Sequence, residues 1–286
     1  MTTLKLFNAD CLEQMKSIAD KSVDLIICDL PYGCLSGRAI GKNAEEKGMF
    51  GATKKTIKRA DNPDKSNDRE FCHWDIKINL DLFWKQIRRI RKDDHTPCLH
   101  FCSTKFGIDL INSNPKEFRY DLVWCKSNAV GFLSANKKPM AAHEMIYVFS
   151  KQGANYNRID IIGDFPAGGG GRSSSNFIPT ISEITNINST VAGKRCPKSY
   201  IEIANKKEKN GHPTAKPIEL YKWLIERYSN EGDTVLDPTF GSANSGVASR
   251  ELKRNYIGIE MNKEFFDKAE KSLVIINEVD IDNKSN

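Results

Sequence analysis

The sequence predicts an α/β protein in which a mostly parallel, twisted sheet carries helices on both faces. Three observations lead there. Short apolar runs alternate with segments of helical period at both ends of the chain, the order that builds a parallel sheet. One such run passes into a small-residue turn, VLDPTFGSANSG at 235–246, where a helix begins. The 286 residues, 39% hydrophobic and 28% charged, suffice for one large domain and exclude a disulfide-stapled miniature, a collagen-like chain or a wholly disordered one.

Taken in order, 4–9 reads as a strand, 11–19 as a short helix and 23–29 (VDLIICD) as a buried strand. A long polar segment follows at 34–70, with Gly41, Gly48 and Gly51 and the basic group Lys54, Lys55, Lys58 and Arg59. A loop of that length is either disordered or functional. From 80 to 91, Leu80, Phe83, Trp84, Ile87 and Ile90 recur at helical spacing and form a core-facing stripe. Strands are expected at 98–102, 122–126 and 145–150, after which regularity fades until about 211 in a stretch with four glycines at 168–171 and a basic excess. It returns as a helix at 218–228, a strand at 234–236, a helix near 245–252, a strand at 256–260 and a helix at 264–273. The polar tail from about 277 is expected to fray, and the two ordered ends to share one sheet.

Composition narrows the class further. No apolar run approaches the roughly 18 to 20 residues of a membrane-spanning helix, and Asp10 falls where a secretory peptide would be apolar. The expectation is a soluble, cytoplasmic protein with no membrane partner. The formal net charge of +6 suits a polyanionic partner without identifying one. The eight cysteines contain no CxxC pair and read as reduced, buried thiols. His95, Cys98, His100 and Cys102 are close in sequence, but ligands at i, i+2 and i+4 spread along an extended strand. They therefore wrap a tetrahedral ion poorly, and no metal is assigned.

Two segments carry chemistry. Small residues at 238–246 let a backbone approach a ligand closely. The next strand ends in Glu260, where a carboxylate accepts hydrogen bonds from both hydroxyls of a ribose. That suits an adenosine-containing cofactor, with a nicotinamide dinucleotide and S-adenosylmethionine fitting equally well. The other segment, Asp29-Leu30-Pro31-Tyr32, directly follows the strand at 23–28 and belongs at the carboxyl edge of the sheet. An aminopurine nitrogen is a poor nucleophile because its lone pair is delocalised into the ring. The Asp29 carboxylate and the Leu30 carbonyl, accepting its two N–H bonds, favour pyramidalisation. Tyr32 can stack on the base and Pro31 stiffens the turn. A methyl sulfonium opposite the nitrogen then permits direct in-line transfer, with the site contributing position and electrostatics.

Together, LFNADCLE at 6–13, DLPYG at 29–33, HPTAKP at 212–217 and LDPTFGSANSG at 236–246 resemble the permuted, beta-class amino-methyltransferases of DNA. The likeness is closest to bacterial and phage site-specific DNA adenine-N6 methyltransferases, in which the target-amine motif precedes the cofactor motif. It extends through FWKQIRRIRKD, LVWCKSN and HEMIYVFSK and covers most of the chain outside 34–70 and 152–210. The resemblance implies a Rossmann-like, S-adenosylmethionine-dependent methyltransferase fold with circularly permuted motif order. It also implies a single catalytic domain over 1–286, in which 34–70 is a mobile, DNA-contacting loop and 152–210 an inserted target-recognition region.

By the same resemblance, Asp29, Leu30, Pro31 and Tyr32 hold a flipped adenine. Phe240, Gly241 and Glu260 bind S-adenosylmethionine, Asp10 contacts its adenine, Asp237 supports its methionine end, and His212, Thr214 and Lys216 complete that pocket. Double-stranded DNA is the implied partner, with Lys54, Lys55 and Arg172 as phosphate contacts and a companion restriction endonuclease in the same system. A base must leave the stack to reach such a pocket, at a cost of a few kcal/mol. Two departures stand out: Leu30 replaces the commoner first proline, and Ala243-Asn244 replaces a more usual Gly-Ser or Gly-Thr pair. The competing classes are a cytosine-N4 methyltransferase, a DNA-binding relative that has lost catalysis, and a nicotinamide-dependent oxidoreductase for which DLPY and HPTAKP have no role.

Overall fold

The computed structural model describes residues 2–31, 77–164, 192–205 and 215–282, with 274–282 as helical backbone. In chain order the first elements are β1 (Leu4–Phe7), α1 (Cys11–Met15), β2 (Leu25–Cys28), α2 (Leu80–Ile90), β3 (Cys98–Cys102), α3 (Thr104–Ser113), β4 (Phe118–Val130) and β5 (Ala141–Phe149). Three short strands follow, β6 (Ile161–Ile162), β7 (Lys194–Arg195) and β8 (Tyr200–Glu202). The chain then gives α4 (Ile218–Tyr228), β9 (Thr234–Asp237), α5 (Asn244–Glu251), β10 (Asn255–Ile259) and α6 (Lys263–Asp282).

Eight strands form one sheet in the order β1-β10-β9-β2-β3-β5-β4-β8, and β6 pairs with β7 apart from it. The β1, β10, β9, β2 and β3 ladders are all parallel, whereas β5 runs antiparallel to both β3 and β4. The two ordered ends of the sequence do share one sheet.

The continuous apolar run of β2 follows from burial on both faces. Leu25 and Ile27 face a core closed by α4, α5 and α6, with Leu220, Leu224, Val247 and Leu273. Ile26 and Cys28 face the opposite core, closed by α1, α2 and α3. Helix α2 starts where the Asn79 side chain accepts the Leu82 N–H at 3.0 Å. It buries Phe83, Trp84, Ile87 and Ile90, each worth about 1.5–3 kcal/mol of apolar burial. The Trp84 indole donates to Ser113 Oγ on α3 at 2.8 Å, so a polar atom buried with the ring is satisfied.

The structure departs from the sequence expectations in several places. Helix α3 is not among the expected elements, and it carries a central glycine. A Cβ on Gly107 would stand 2.6 Å from the Tyr147 ring, so packing on β5 requires the residue that weakens the local signal. Strands β4 and β5 are longer than 122–126 and 145–150, because their far ends leave the core and lose the alternation that marks a half-buried strand. The tail does not fray at 277: α6 continues to Asp282, and no glycine or proline follows Lys263 to stop it. Helix α1 ends at Met15, short of residue 19. Within 152–210, β8 adds to the main sheet beside β4, so that region is not irregular throughout.

Candidate active site

Strands β2 and β9 are neighbours, and they lead the chain outward in opposite directions, β2 toward β3 and β9 toward β10. This is the topological switch point, and the crevice outside the carboxyl ends of such strands is where open α/β sheets bind ligands. The register Ile26↔Leu236 and Gly258↔Asp237 brings the tips of β2, β9 and β10 to one edge. Asp29, Asp237 and Glu260 emerge there together. Among the described residues, a polar cavity lined by Asp24, Lys92, Tyr228 and Asp233 lies at the opposite edge, where these strands begin.

Asp237 closes β9 and is 2% exposed. Its Oδ1 accepts the Thr239 N–H at 3.1 Å and its Oδ2 accepts the Ser245 hydroxyl at 2.6 Å; Ser245 Oγ lies 2.8 Å from the Tyr256 hydroxyl. Burial pushes the Asp237 carboxyl up to about 7, with Asp29 and Glu260 adding to the rise and the Ser245 and Thr239 hydrogen bonds opposing it.

The turn then bends at Gly241, whose φ of +50° suits a residue without Cβ. Glu260 accepts the Gly241 N–H at 3.0 Å and the Asn262 N–H at 2.7 Å, binding the turn to the tip of β10. Burial raises the Glu260 carboxyl, and these backbone amides work against that rise. Phe240 is buried against Phe266, with ring centroids 6.1 Å apart.

Ala243 adopts φ +57°, the left-handed region that a glycine would occupy without strain. Ala243 is fully buried and belongs to the core cluster that also holds Val247 and Tyr256. Asn244 donates from Nδ2 to the Lys216 carbonyl at 2.7 Å, which ties the cofactor-type turn to the segment entering α4.

Asp29 follows β2 and is about one-quarter exposed at its side chain, with Lys216 Nζ 2.5 Å from its Oδ2. Leu30 is 1% exposed, so its side chain anchors in the core and fixes the backbone that carries its carbonyl. Lys216 is itself buried. Burial disfavours its ammonium, but Asp29 and Glu144 outweigh that penalty and hold its pKa above the usual lysine value.

Asp10 caps α1, accepting the Glu13 N–H at 3.1 Å. It also lies beside the Glu260 tip, because the Ala9 N–H and the Asn8 amide both donate to the Glu260 carbonyl. The structure therefore gathers Asp10, Asp29, Leu30, Pro31, Lys216, Asp237, Phe240, Gly241 and Glu260 at one end of the sheet. Tyr32, Lys54, Lys55, Arg172, His212 and Thr214 lie outside the described residues.

Some members of the site escape the sequence reading. Ser245 and Tyr256 complete the Asp237 network, and Glu144 on β5 stands 3.5 Å from Lys216. The signal for Glu144 is an acidic residue opening the apolar run MIYVF. The cysteine–histidine cluster also differs from the sequence grouping. Cys98 Sγ and His100 Nε2 are 3.2 Å apart and are joined by Cys28 from the neighbouring strand, whereas His95 Nδ1 meets the Gly153 carbonyl. His100 Nδ1 has no hydrogen-bond partner and the ring is boxed by Phe83, Trp84 and Phe149, so the orienting bond that a ligating imidazole normally makes is missing.

An open sheet of this order, with a glycine turn and strand-tip carboxylates at one edge, defines a Rossmann-like methyltransferase fold. The DNA methylase family model matches residues 23–271, and the chain belongs to that family. It is 27% identical over 277 residues to the Type II methyltransferase M.HinfI of Haemophilus influenzae, covering 94% of this chain and 67% of that one. It is 26% identical over 261 residues to the DNA adenine methyltransferase YhdJ of Escherichia coli (strain K12), covering 91% and 79%. Among solved structures, the M1.HpyAVI–SAM complex matches with a TM-score of 0.56 at 20% identity, covering 95% of this chain and all of that one. PvuII DNA methyltransferase (cytosine-N4-specific) matches with a TM-score of 0.59 at 15% identity, covering 94% and 86%.

Proposed function

We propose that the protein is a site-specific DNA methyltransferase that moves a methyl group from S-adenosylmethionine to the N6 amine of a flipped adenine in double-stranded DNA. The observation that carries this reading is the meeting of Asp29 with Asp237 and Glu260 at the carboxyl ends of adjacent parallel strands. The residues present suit the donor. Glu260 is placed at a strand tip where ribose hydroxyls are bound in such folds. Asp237 is a buried carboxyl group that, among the described residues, has no cation bonded to it, in keeping with a positively charged ligand. Phe240 and Gly241 form the turn between them, and Asp10 stands beside Glu260.

When bound, S-adenosylmethionine supplies an electrophilic methyl on a sulfonium. Asp29 and the Leu30 carbonyl accept the two N–H bonds of the amine and keep its lone pair available. Pro31 stiffens the turn, and Tyr32 stacks on the base face. His212 and Thr214 complete the donor pocket with Lys216, whose backbone is bonded to Asn244 and whose ammonium reaches Asp29. The basic segments at 34–70 and 152–210 hold the duplex, with Lys54, Lys55 and Arg172 on phosphates. A restriction endonuclease sharing the recognition sequence is the companion this reading adds.

Nucleoside analysis of unmethylated DNA incubated with the protein and S-adenosylmethionine tests the assignment. N6-methyladenine is expected. N4-methylcytosine alone would move the reading to the cytosine class, which resembles this one but more often has Ser at the position of Asp29. Asp29→Ala is expected to abolish transfer while calorimetry still detects cofactor binding, and retained turnover would remove Asp29 from the mechanism.

A further inference from the structure

Four charged side chains alternate in sign along one edge of the sheet, where β2, β3 and β4 approach their carboxyl ends and the antiparallel β5 begins. Asp29 follows β2, and Lys216 Nζ lies 2.5 Å from its Oδ2. The same ammonium is 3.5 Å from Glu144 Oε2 on β5 and rests over the Phe101 ring of β3, 5.0 Å from its centroid. Glu144 Oε1 in turn pairs with Lys126 on β4. The two lysines are nearly buried, at 7% and 9% side-chain exposure, and the two carboxylates are partly open, at 24% and 30%. Glu144 Oε2 is buried and makes no hydrogen bond, although it faces the ammonium.

We propose that Glu144 is a positioning residue for methyl transfer, acting as a second counter-ion that lets Lys216 slacken its hold on Asp29 when the target amine arrives. The proposal rests on the reading of Asp29 as an amine acceptor. A lysine ammonium held by Asp29 alone competes with the substrate N–H for the same carboxylate, because a charge-assisted bond is roughly twice as strong as a neutral one. A buried ammonium cannot simply release its partner, since an uncompensated buried charge is strongly destabilising. Glu144, already within ion-pair reach and with an oxygen still lacking a hydrogen bond, gives Lys216 somewhere to go. Lys126 fixes Glu144 from the far side, so the receiving carboxylate stays in place during the exchange. The Lys216 carbonyl, bonded to Asn244, keeps the backbone still while the side chain moves.

Steady-state kinetics of Glu144→Gln on unmethylated duplex DNA test this, with calorimetry for S-adenosylmethionine and a thermal melt. The amide keeps the shape and removes the charge. The expected result is a fall in kcat of about 10- to 100-fold, the scale of a misplaced catalytic group, with KM for DNA and cofactor affinity held within about threefold. Glu144→Asp restores the charge one methylene short and is expected to recover part of kcat. It also serves as the test if the glutamine variant does not fold. A kcat within about twofold of the parent in Glu144→Gln, or no recovery by Glu144→Asp, overturns the proposal. So does a loss carried entirely by KM or by cofactor affinity. The parent reading fails separately, by Asp29→Ala retaining turnover, whereas an inactive Asp29→Ala beside a fully active Glu144→Gln sinks only the role of Glu144.

Discussion

Replacing Asp237 by Asn should stabilise the cofactor-free protein above neutral pH while weakening its hold on S-adenosylmethionine. Asp237 rises from the ordinary aspartate value of 3.8 to about 7 because it is buried at the end of β9. In the unfolded chain it titrates near 3.8, so between pH 4 and 7 the folded protein keeps a proton that the unfolded chain has released. Its contribution is then fully present below pH 4, declines as pH rises, and is gone above about 7. A separation of about 3 pH units is worth about 4 kcal/mol, a large part of the 5–15 kcal/mol by which a domain is usually stable.

Asn keeps an oxygen for the Thr239 N–H and gives Ser245 an amide partner, so the network survives without the charge. Urea unfolding of both proteins from pH 4 to pH 8.5 measures the effect, and the difference between them isolates Asp237 from Glu260, whose rise has the same sign. The two should be equally stable near pH 4 and diverge by up to about 4 kcal/mol above pH 7, the variant being the more stable. In the parent protein a cationic ligand favours the ionised carboxylate, so calorimetry near pH 6 should register proton release on S-adenosylmethionine binding, and the variant should not. Parallel stability curves for the two proteins would refute the reasoning.

Two further substitutions probe the turn. Gly258→Ala puts a Cβ 2.7 Å from ring carbons of both Phe240 and Tyr256, which cannot swing aside as a flexible chain end can. Overpacking of about 1–3 kcal/mol should lower the melting temperature by several degrees and weaken cofactor binding through Phe240, and an unchanged melt would show that the rings accommodate it. Ala243→Gly relieves about 1 kcal/mol of left-handed strain and removes a buried methyl worth about 0.8 kcal/mol. Unfolding free energy should therefore change by less than about 1 kcal/mol, and cofactor affinity should hold because the methyl lies in the core. A large gain in affinity would show instead that the methyl obstructs the ligand.

Much of this was legible in the sequence, because local chemistry states it directly. A continuous apolar run fixes β2 as a strand buried on both faces, the Phe83–Trp84–Ile87–Ile90 stripe fixes α2, and the turn after Leu236 marks itself by its small residues and by Glu260 one strand later. Helix α3 was not legible, since Gly107 answers to Tyr147 rather than to its own neighbours in the chain. The extent of β4 and β5 was hidden for a similar reason, as their outer halves leave the core and lose the alternation.

What the tertiary structure alone decided is who faces whom. Lys216 is a cation in a short motif until the chain folds, after which its ammonium lies against a carboxylate 187 residues earlier and within reach of Glu144 on a third strand. The acidity of Asp237 is likewise invisible in LDPTFG, because it comes from burial and from Asp29 and Glu260, which only the parallel alignment of β2, β9 and β10 brings near. Sequence fixes the residues' chemistry and local geometry. Long-range packing fixes distances between charges, and the field at the site depends on those distances.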